Sequence, residues 1–419
     1  MQNKQNSILV VGFNTRPLVF SLYEVGYKVY SVDFFGDMDL YPYVEDSIII
    51  TERLKFQYKY IKDFYKDFVV QFTFEMIERH SDISSVIIAS GLDDEIHKRQ
   101  EIYDFLEKKG ISNLNNNLIS ITQARNIQKT YQILENQNFK VPLTYKYSLD
   151  KEIPANLSYP FILKKLKSSG GINVHKIKSE EELLFREKLI KSSRNEDSDY
   201  IIQEYIKGIP VSCTTISDGI HSEVISINRQ IIGLNILNPP DKFYYNGNVV
   251  PAYLLPNDKI LISQISIFLT EKFNLQGING FDFVVKDHYP YLMEINPRIP
   301  GSIRASEEAY NVNLLDLHIK CFTKGWDNLK KSLILREKNQ VCFATKLVYF
   351  APKDIQKSTI KRINNLDYVH DKSTPDKIIK KNSPVCTILY KDKNFASSFF
   401  GALKVVDEIN GLILKKKET

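Results

Sequence analysis

The chain has 419 residues, 43% of them hydrophobic and 25% charged, with 17 Gly and 16 Pro. That is the composition of a globular protein with room for two to four compact units and a large core, needing no disulfide or structural metal as a staple. A formal net charge of +6 with only short basic clusters (164–167, 380–381 and 415–417) lacks the footprint of a nucleic-acid binder, and no apolar run approaches the length of a membrane span.

The elements alternate from the start. Residues 7–11 form an apolar strand, Gly12 breaks it, and Pro17 stands where a helix can begin; residues 27–33 give a second strand and 86–89 a third, with a charged helix after it. Strand and helix in alternation predict a parallel α/β sheet. Residues 12–16 resemble a dinucleotide-binding turn but lack G-x-G-x-x-G, and Asp33 alone does not supply one. This first lobe reads as a structural α/β unit that helps to hold a second substrate. Asn113 and the Asn run 115–117 close it.

Residues 119–136 predict one helix, ended by Val141-Pro142. A strand over 161–164 runs into Ser168-Ser169-Gly170-Gly171, and 174–177 leaves as another strand. The polar stretch 191–199 reads as an exposed loop. Strands over 201–205 and 211–217 are joined through Lys207-Gly208, so that residues 158–230 read as one small sheet.

Chemistry concentrates further on. Gly280-Phe281-Asp282-Phe283-Val284-Val285 is followed, after a turn, by Tyr291-Leu292-Met293-Glu294-Ile295-Asn296-Pro297-Arg298. Side chains two apart share a strand face, so Glu294 and Asn296 stand together and a hairpin sets Asp282 beside them. Three oxygen donors of this kind suit one or two Mg²⁺ ions shared with phosphates, and Arg298 adds a planar cation for a phosphoryl group. Both acids lie among apolar residues, where a carboxylate needs a cation. Upstream, Lys164 ends a strand just before a loop of small residues whose amides can converge on an anion. Gln203, Glu204, Tyr205 and Ile206 form an apolar strand end that can present backbone groups to an adenine edge. No Ser–His–Asp or Cys–His pattern appears, and His97, His221 and His288 read as surface or satisfied residues.

In this order the segments resemble the ATP-grasp superfamily over roughly 119–320, with Glu294-x-Asn296-Pro297-Arg298 and Asp282 as the most specific part. The nearest likeness is to archaeal stand-alone enzymes similar to carbamoyl-phosphate synthase and biotin carboxylase, with D-alanine–D-alanine ligase a more distant relative. The resemblance implies an α/β ATP-grasp fold: a pre-ATP-grasp domain over 1–117, the ATP-grasp domain over 118–334 with a lid near 150–215, and a small C-terminal α/β domain over 335–419 that walls the site. It implies ATP and Mg²⁺ (or Mn²⁺) as cofactors. Lys129 and Lys164 would be the phosphate-binding basic residues, Ser168, Ser169, Gly170 and Gly171 the lid loop, and Gln203 to Ile206 the adenine hinge. Asp282, Glu294 and Asn296 would be the metal ligands, Arg298 the cation at the transferring phosphoryl group, and Arg304 a contact to phosphate or acceptor. Two positions depart from the family: Val211 stands where relatives carry an acid for the ribose, and Lys165 where they carry Pro.

The implied reaction is carboxylate activation as an acyl phosphate followed by capture by an amine, a C–N ligase acting on small molecules in the cytoplasm, with a homodimer as one option for its assembly and no nucleic-acid or membrane partner. The alternatives are phosphorylation of bicarbonate or carbamate, and a nucleotide-binding module without catalysis. Cys386, in the run 382–390 that resembles the appended domain of biotin-carboxylase-like proteins, reads as a buried strand residue.

Overall fold

The computed structural model describes residues 7–55, 64–166, 170–192, 199–330 and 340–414. Three sheets organise it. The first is five-stranded and parallel in the order β3-β2-β1-β4-β5, built from Ser7–Gly12 (β1), Lys28–Asp33 (β2), Asp46–Ile49 (β3), Ile83–Ile88 (β4) and Ser112–Asn113 (β5). Between the strands run the helices Arg16–Glu24 (α1), Ile50–Leu54 (α2), Tyr65–Arg79 (α3) and Ile96–Lys109 (α4). The central strands are rich in apolar residues because both faces are covered: one packs on α1 and on Leu314–Thr323, the other on α3 and α4. Asp33 is absorbed internally, accepting from Thr15 N and Oγ1 and from Gly36 N, so it fastens the start of α1.

The stretch predicted as one helix is two, Leu118–Arg125 (α5) and Ile127–Glu135 (α6). Asn126 divides them, its side chain accepting from Lys129 N as the cap of α6. An Asn side chain competes for backbone donors and starts helices better than it continues them.

The small antiparallel sheet runs β6-β9-β7-β8, from Thr144–Tyr147 (β6), Phe161–Lys165 (β7), Val174–Ile177 (β8) and Tyr200–Glu204 (β9), with helix Glu180–Ser192 (α7) between β8 and β9. The expected single sheet over 158–230 is corrected here: it stops at Glu204. The next strand, Ile209–Asp218 (β10), crosses to the large sheet, where it pairs with β11 and β13. Val211 and Cys213 are fully buried there, and Gly208 makes the crossing possible, since a Cβ would lie 2.2 Å from Val285 O.

The large antiparallel sheet has the order β14-β13-β10-β11-β12-β15-β17-β16. Its other strands are Ser222–Ile232 (β11), Tyr245–Val250 (β12), Gln276–Lys286 (β13), Tyr289–Asn296 (β14), Phe343–Phe350 (β15), Val369–His370 (β16) and Pro384–Asp392 (β17). Helix Pro256–Lys272 (α8) covers one face of β10 and β13. Helices Ile303–Tyr310 (α9) and Leu314–Thr323 (α10) follow the β13–β14 hairpin, and Lys357–Asn364 (α11) and Phe395–Leu414 (α12) belong to the C-terminal stretch. That stretch has its own apolar cluster, yet β15 pairs with β12, so its strands extend the large sheet. Cys386 is buried in β17.

Candidate active site

A cavity of about 640 Å³ lies between the small and large sheets, with residues of the first lobe and of β15 at its edge. On the large-sheet side the β13–β14 hairpin sets Asp282 directly opposite Glu294 and Gly280 opposite Asn296. Gln230 Nε2 donates to Asp282 Oδ1 at 2.8 Å, and Asn296 Nδ2 donates to Oδ2 at 3.0 Å. Burial first, and the Glu294 charge second, push the Asp282 carboxyl up to about 7 against the help of Asn296, Arg298 and Gln230. Two acids this close need a cation to stay ionised together.

Two carboxylates with the Asn296 amide oxygen suit Mg²⁺, which takes few protein ligands and shares the rest with phosphates. Among the described residues no cluster of three or more Asp, Glu, His or Cys that could hold a metal ion gathers elsewhere or here.

Lys164, at the end of β7, reaches the cavity from the other side. Burial lowers its pKa and the Glu294 charge acts in opposition. Gly170 and Gly171 form the roof: Tyr245 N donates to Gly170 O at 3.3 Å. Gly171 has φ +78°, and a Cβ there would stand 1.8 Å from Phe243 O, so only glycine lets the turn lie this close. Ser168 and Ser169 lie outside the described residues. Gln203, Glu204, Tyr205 and Ile206 line the cavity. The Gln203 side chain is committed, donating to Tyr131 Oη at 3.0 Å and Thr144 Oγ1 at 2.9 Å, and the Lys176 ammonium sits 3.6 Å over the Tyr205 ring.

Two of the expected site residues do not line the cavity. Lys129 is exposed and is not among the cavity-lining residues. The basic side chain that enters from this region is Arg125, at the end of α5. Its Nη1 meets Glu294 Oε1 at 2.5 Å, and its Nε and Nη2 grip Asp94 Oδ1 and Oδ2 at 2.8 and 2.9 Å. Burial works against the Arg125 charge, but Glu294 and Asp94 outweigh it and raise its pKa. Arg304 does not line the cavity either. It lies buried on α9, paired with Glu307 at 2.7 Å, Glu308 at 2.9 Å and Glu24 at 3.1 Å, with its guanidinium over Phe20. Three carboxylates satisfy it, and it joins α9 to α1.

Arg298 does face the cavity, and its Nε donates to the buried Asp93 at 2.5 Å. Burial would raise the Asp93 pKa, but Arg298, Arg99 and Arg125 more than reverse this and hold it low. Adjacent acids in the loop after β4 thus orient two cavity arginines. The sequence reading missed Arg125, Asp93, Asp94 and Gln230. The acids follow a parallel strand at its C-terminal end, where such sheets gather ligand-binding groups, and that position was the available signal.

Residues 124–302 match the ATP-grasp domain family. An uncharacterized protein of Methanocaldococcus jannaschii is 29% identical over 393 residues, which cover 92% of this chain and 88% of that protein. The D-alanine–D-alanine ligase of Bacillus anthracis is 25% identical over 239 residues, 55% of this chain and 75% of the ligase. The crystal structure of an L-amino acid ligase from Bacillus licheniformis superposes with a TM-score of 0.67 at 17% identity, over 96% of this chain and 97% of the other. Residues 124–302 thus resemble the ATP-grasp domain, and nearly the whole chain shares the fold of that L-amino acid ligase.

Proposed function

We propose that this protein is an ATP-dependent ligase that activates a substrate carboxylate as an acyl phosphate and couples it to an amine. The observation that carries the reading is the convergence of Lys164, Arg125 and Arg298 on the Asp282–Glu294–Asn296 hairpin inside one cavity. Phosphoryl transfer asks chiefly for alignment and for neutralisation of charge on the β- and γ-phosphates. Lys164 from β7 and Arg298 from the segment after β14 would face the phosphate chain from opposite sides. Arg125, gripped by Asp94, aims the Glu294 side chain. Mg²⁺, held by Asp282, Glu294 and the Asn296 amide oxygen, would supply Lewis-acid neutralisation of phosphate oxygens. Gln203 to Ile206, at the end of β9, would take the adenine. Val211 is fully buried, so no ribose contact comes from that position.

A carboxylate oxygen would attack the γ-phosphorus as the bond to ADP breaks. The amine nitrogen would then attack the acyl carbon, phosphate would leave, and the nitrogen would lose a proton. The Gly170–Gly171 turn over the cavity would keep water from the acyl phosphate.

The test is release of ADP and phosphate from MgATP with pools of carboxylic acids, with and without amines, alongside an Asp282→Ala/Glu294→Ala double variant. Turnover that needs an acid and an amine and disappears in the variant is expected. Turnover with bicarbonate alone would move the protein to the carboxylase-type branch, and absence of MgATP binding would falsify the reading.

A further inference from the structure

One charged residue of the cavity comes from outside the matched domain. Lys346, on β15, is 8% exposed, and its Nζ donates to Gly301 O at 2.8 Å, three residues past Arg298. Register places it at the end of a polar row on one face of the large sheet. Asp282 lies opposite Ser212, Ser212 opposite Asn228, Gln230 opposite Asn248, and Asn248 opposite Lys346. Directly paired residues share a face, as do residues two apart on one strand. The row therefore runs from the Asp282 acid to the Lys346 ammonium across five strands.

The interior of this row is incompletely satisfied. Asn228 and Asn248 are fully buried, yet Asn228 Oδ1 and Asn248 Nδ2 have no hydrogen-bond partner. Neither residue lines the cavity, so these atoms belong to the packed interior of the sheet, and the groups of the row that reach the cavity are Asp282, Ser212, Gln230 and Lys346. Behind Lys346, Asp371 is engaged by Arg16 Nε at 2.7 Å and Asp39 accepts from the backbone N–H groups of Asp371 and Lys372, so Asp371 attracts the Lys346 ammonium without bonding to it. Asp371 forms no ion pair within 4 Å of the Lys346 ammonium among the described residues. An ammonium with one carbonyl partner at a cavity wall has donors to spare.

We infer that the end of the cavity at Lys346 binds an anionic group, a carboxylate or phosphate, carried by a substrate in addition to its reacting carboxylate. Naming the occupant a substrate rests on the ligase reading above, whereas the anion site itself rests on Lys346 and the row beside it. Lys346 would then set specificity for dianionic substrates without touching the transferring phosphoryl group.

The experiment is calorimetric titration of the full chain, saturated with Mg²⁺ and a non-hydrolysable ATP analogue. The probes are butyrate (one carboxylate), glutarate (two) and 3-phosphonopropionate (carboxylate plus phosphonate). Wild type should bind at least one dianion roughly ten- to a hundredfold more tightly than butyrate, the worth of a charge-assisted hydrogen bond. Lys346→Met should lose that preference and Lys346→Arg should keep most of it, which separates lost charge from lost folding. The better dianion identifies the group as carboxylate or phosphate. Equal affinity for all three probes, no binding of any, or a preference that survives in Lys346→Met overturns the inference. Binding of the ATP analogue is read separately in the same titrations, so a failure of the ligase reading shows on its own.

Discussion

Arg125 is held by Asp94 through two nearly parallel hydrogen bonds of 2.8 and 2.9 Å, with side chains only 11% and 19% exposed. Such a pair is worth measuring because it aims a third donor, Nη1, at Glu294. Asp94→Ala removes a bidentate, largely desolvated partner and should cost about 2 kcal/mol, within the range for hydrogen bonds to charged groups. Arg125→Ala leaves both Asp94 and Glu294 uncompensated and should cost about 3 kcal/mol, the lower end for breaking a buried pair. The double variant should cost little more than Arg125→Ala alone, giving a coupling energy of about 2 kcal/mol. Urea denaturation of wild type, both single variants and the double variant, followed by far-UV circular dichroism, completes the cycle. If the double variant equals the sum of the singles to within about 0.5 kcal/mol, the pair is not the coupled unit described, and its role in aiming Arg125 at Glu294 falls with it.

Three further outcomes follow from particular contacts. Tyr131 is buried, donates to Leu292 O at 2.8 Å and accepts from Gln203; Tyr131→Phe should cost about 1–2 kcal/mol in denaturation, and an unchanged midpoint would contradict that bridge between β9 and β14. Gly171→Ala meets both a positive φ and the Phe243 carbonyl, so it should weaken MgATP binding roughly tenfold or more with the circular dichroism spectrum intact; unaltered affinity would remove the turn from the site. His318 is fully satisfied as a neutral ring, accepting from Ile278 N at Nδ1 and donating to Leu114 O from Nε2, each at 3.0 Å. Burial holds its pKa down to about 4, against about 6.5 in the unfolded chain. The unfolded state therefore binds the extra proton first, and about 3 kcal/mol of stability, present above pH 6.5, is lost as pH falls towards 4. His318→Gln should flatten that slope in denaturation curves recorded between those limits, and an equal slope would refute the assignment.

The pairing of Asp282 with Glu294 was legible because a strand writes its faces into the sequence with period two. Once Asp282 and Glu294–Asn296 fall on adjacent strands, their convergence needs no distant information. The same is true of Lys164, which ends a strand directly before small residues. Arg304 was misplaced although its partners were readable nearby, since Glu307 and Glu308 stand three and four residues on, the spacing of helical ion pairs. Lys129 was assigned from the family resemblance alone; it is exposed on α6 and absent from the cavity lining, which Arg125 reaches from the end of the preceding helix. The end of the small sheet could not be read locally, because β10 is an ordinary apolar strand whose partner β13 lies more than fifty residues away in sequence.

The groups that escaped the sequence share one property: each acts at a distance along the chain. Asp93 and Asp94 lie some two hundred residues before the side chain of Arg298 and the Glu294 that their partners address, and Lys346 lies beyond the last motif, on a strand added to the sheet after it. The hairpin supplies the acids, but the cations facing them are oriented by the first lobe, and the far wall comes from the C-terminal stretch. On the proposed reading the hairpin and the cations around it serve any acid substrate, so selectivity is sought at the far wall, where Lys346 stands. On that argument, substitution of Lys346 should alter which acid is accepted, whereas substitutions at Asp282 or Glu294, or at the Asp93 and Asp94 that orient the facing arginines, should lower turnover with every substrate alike.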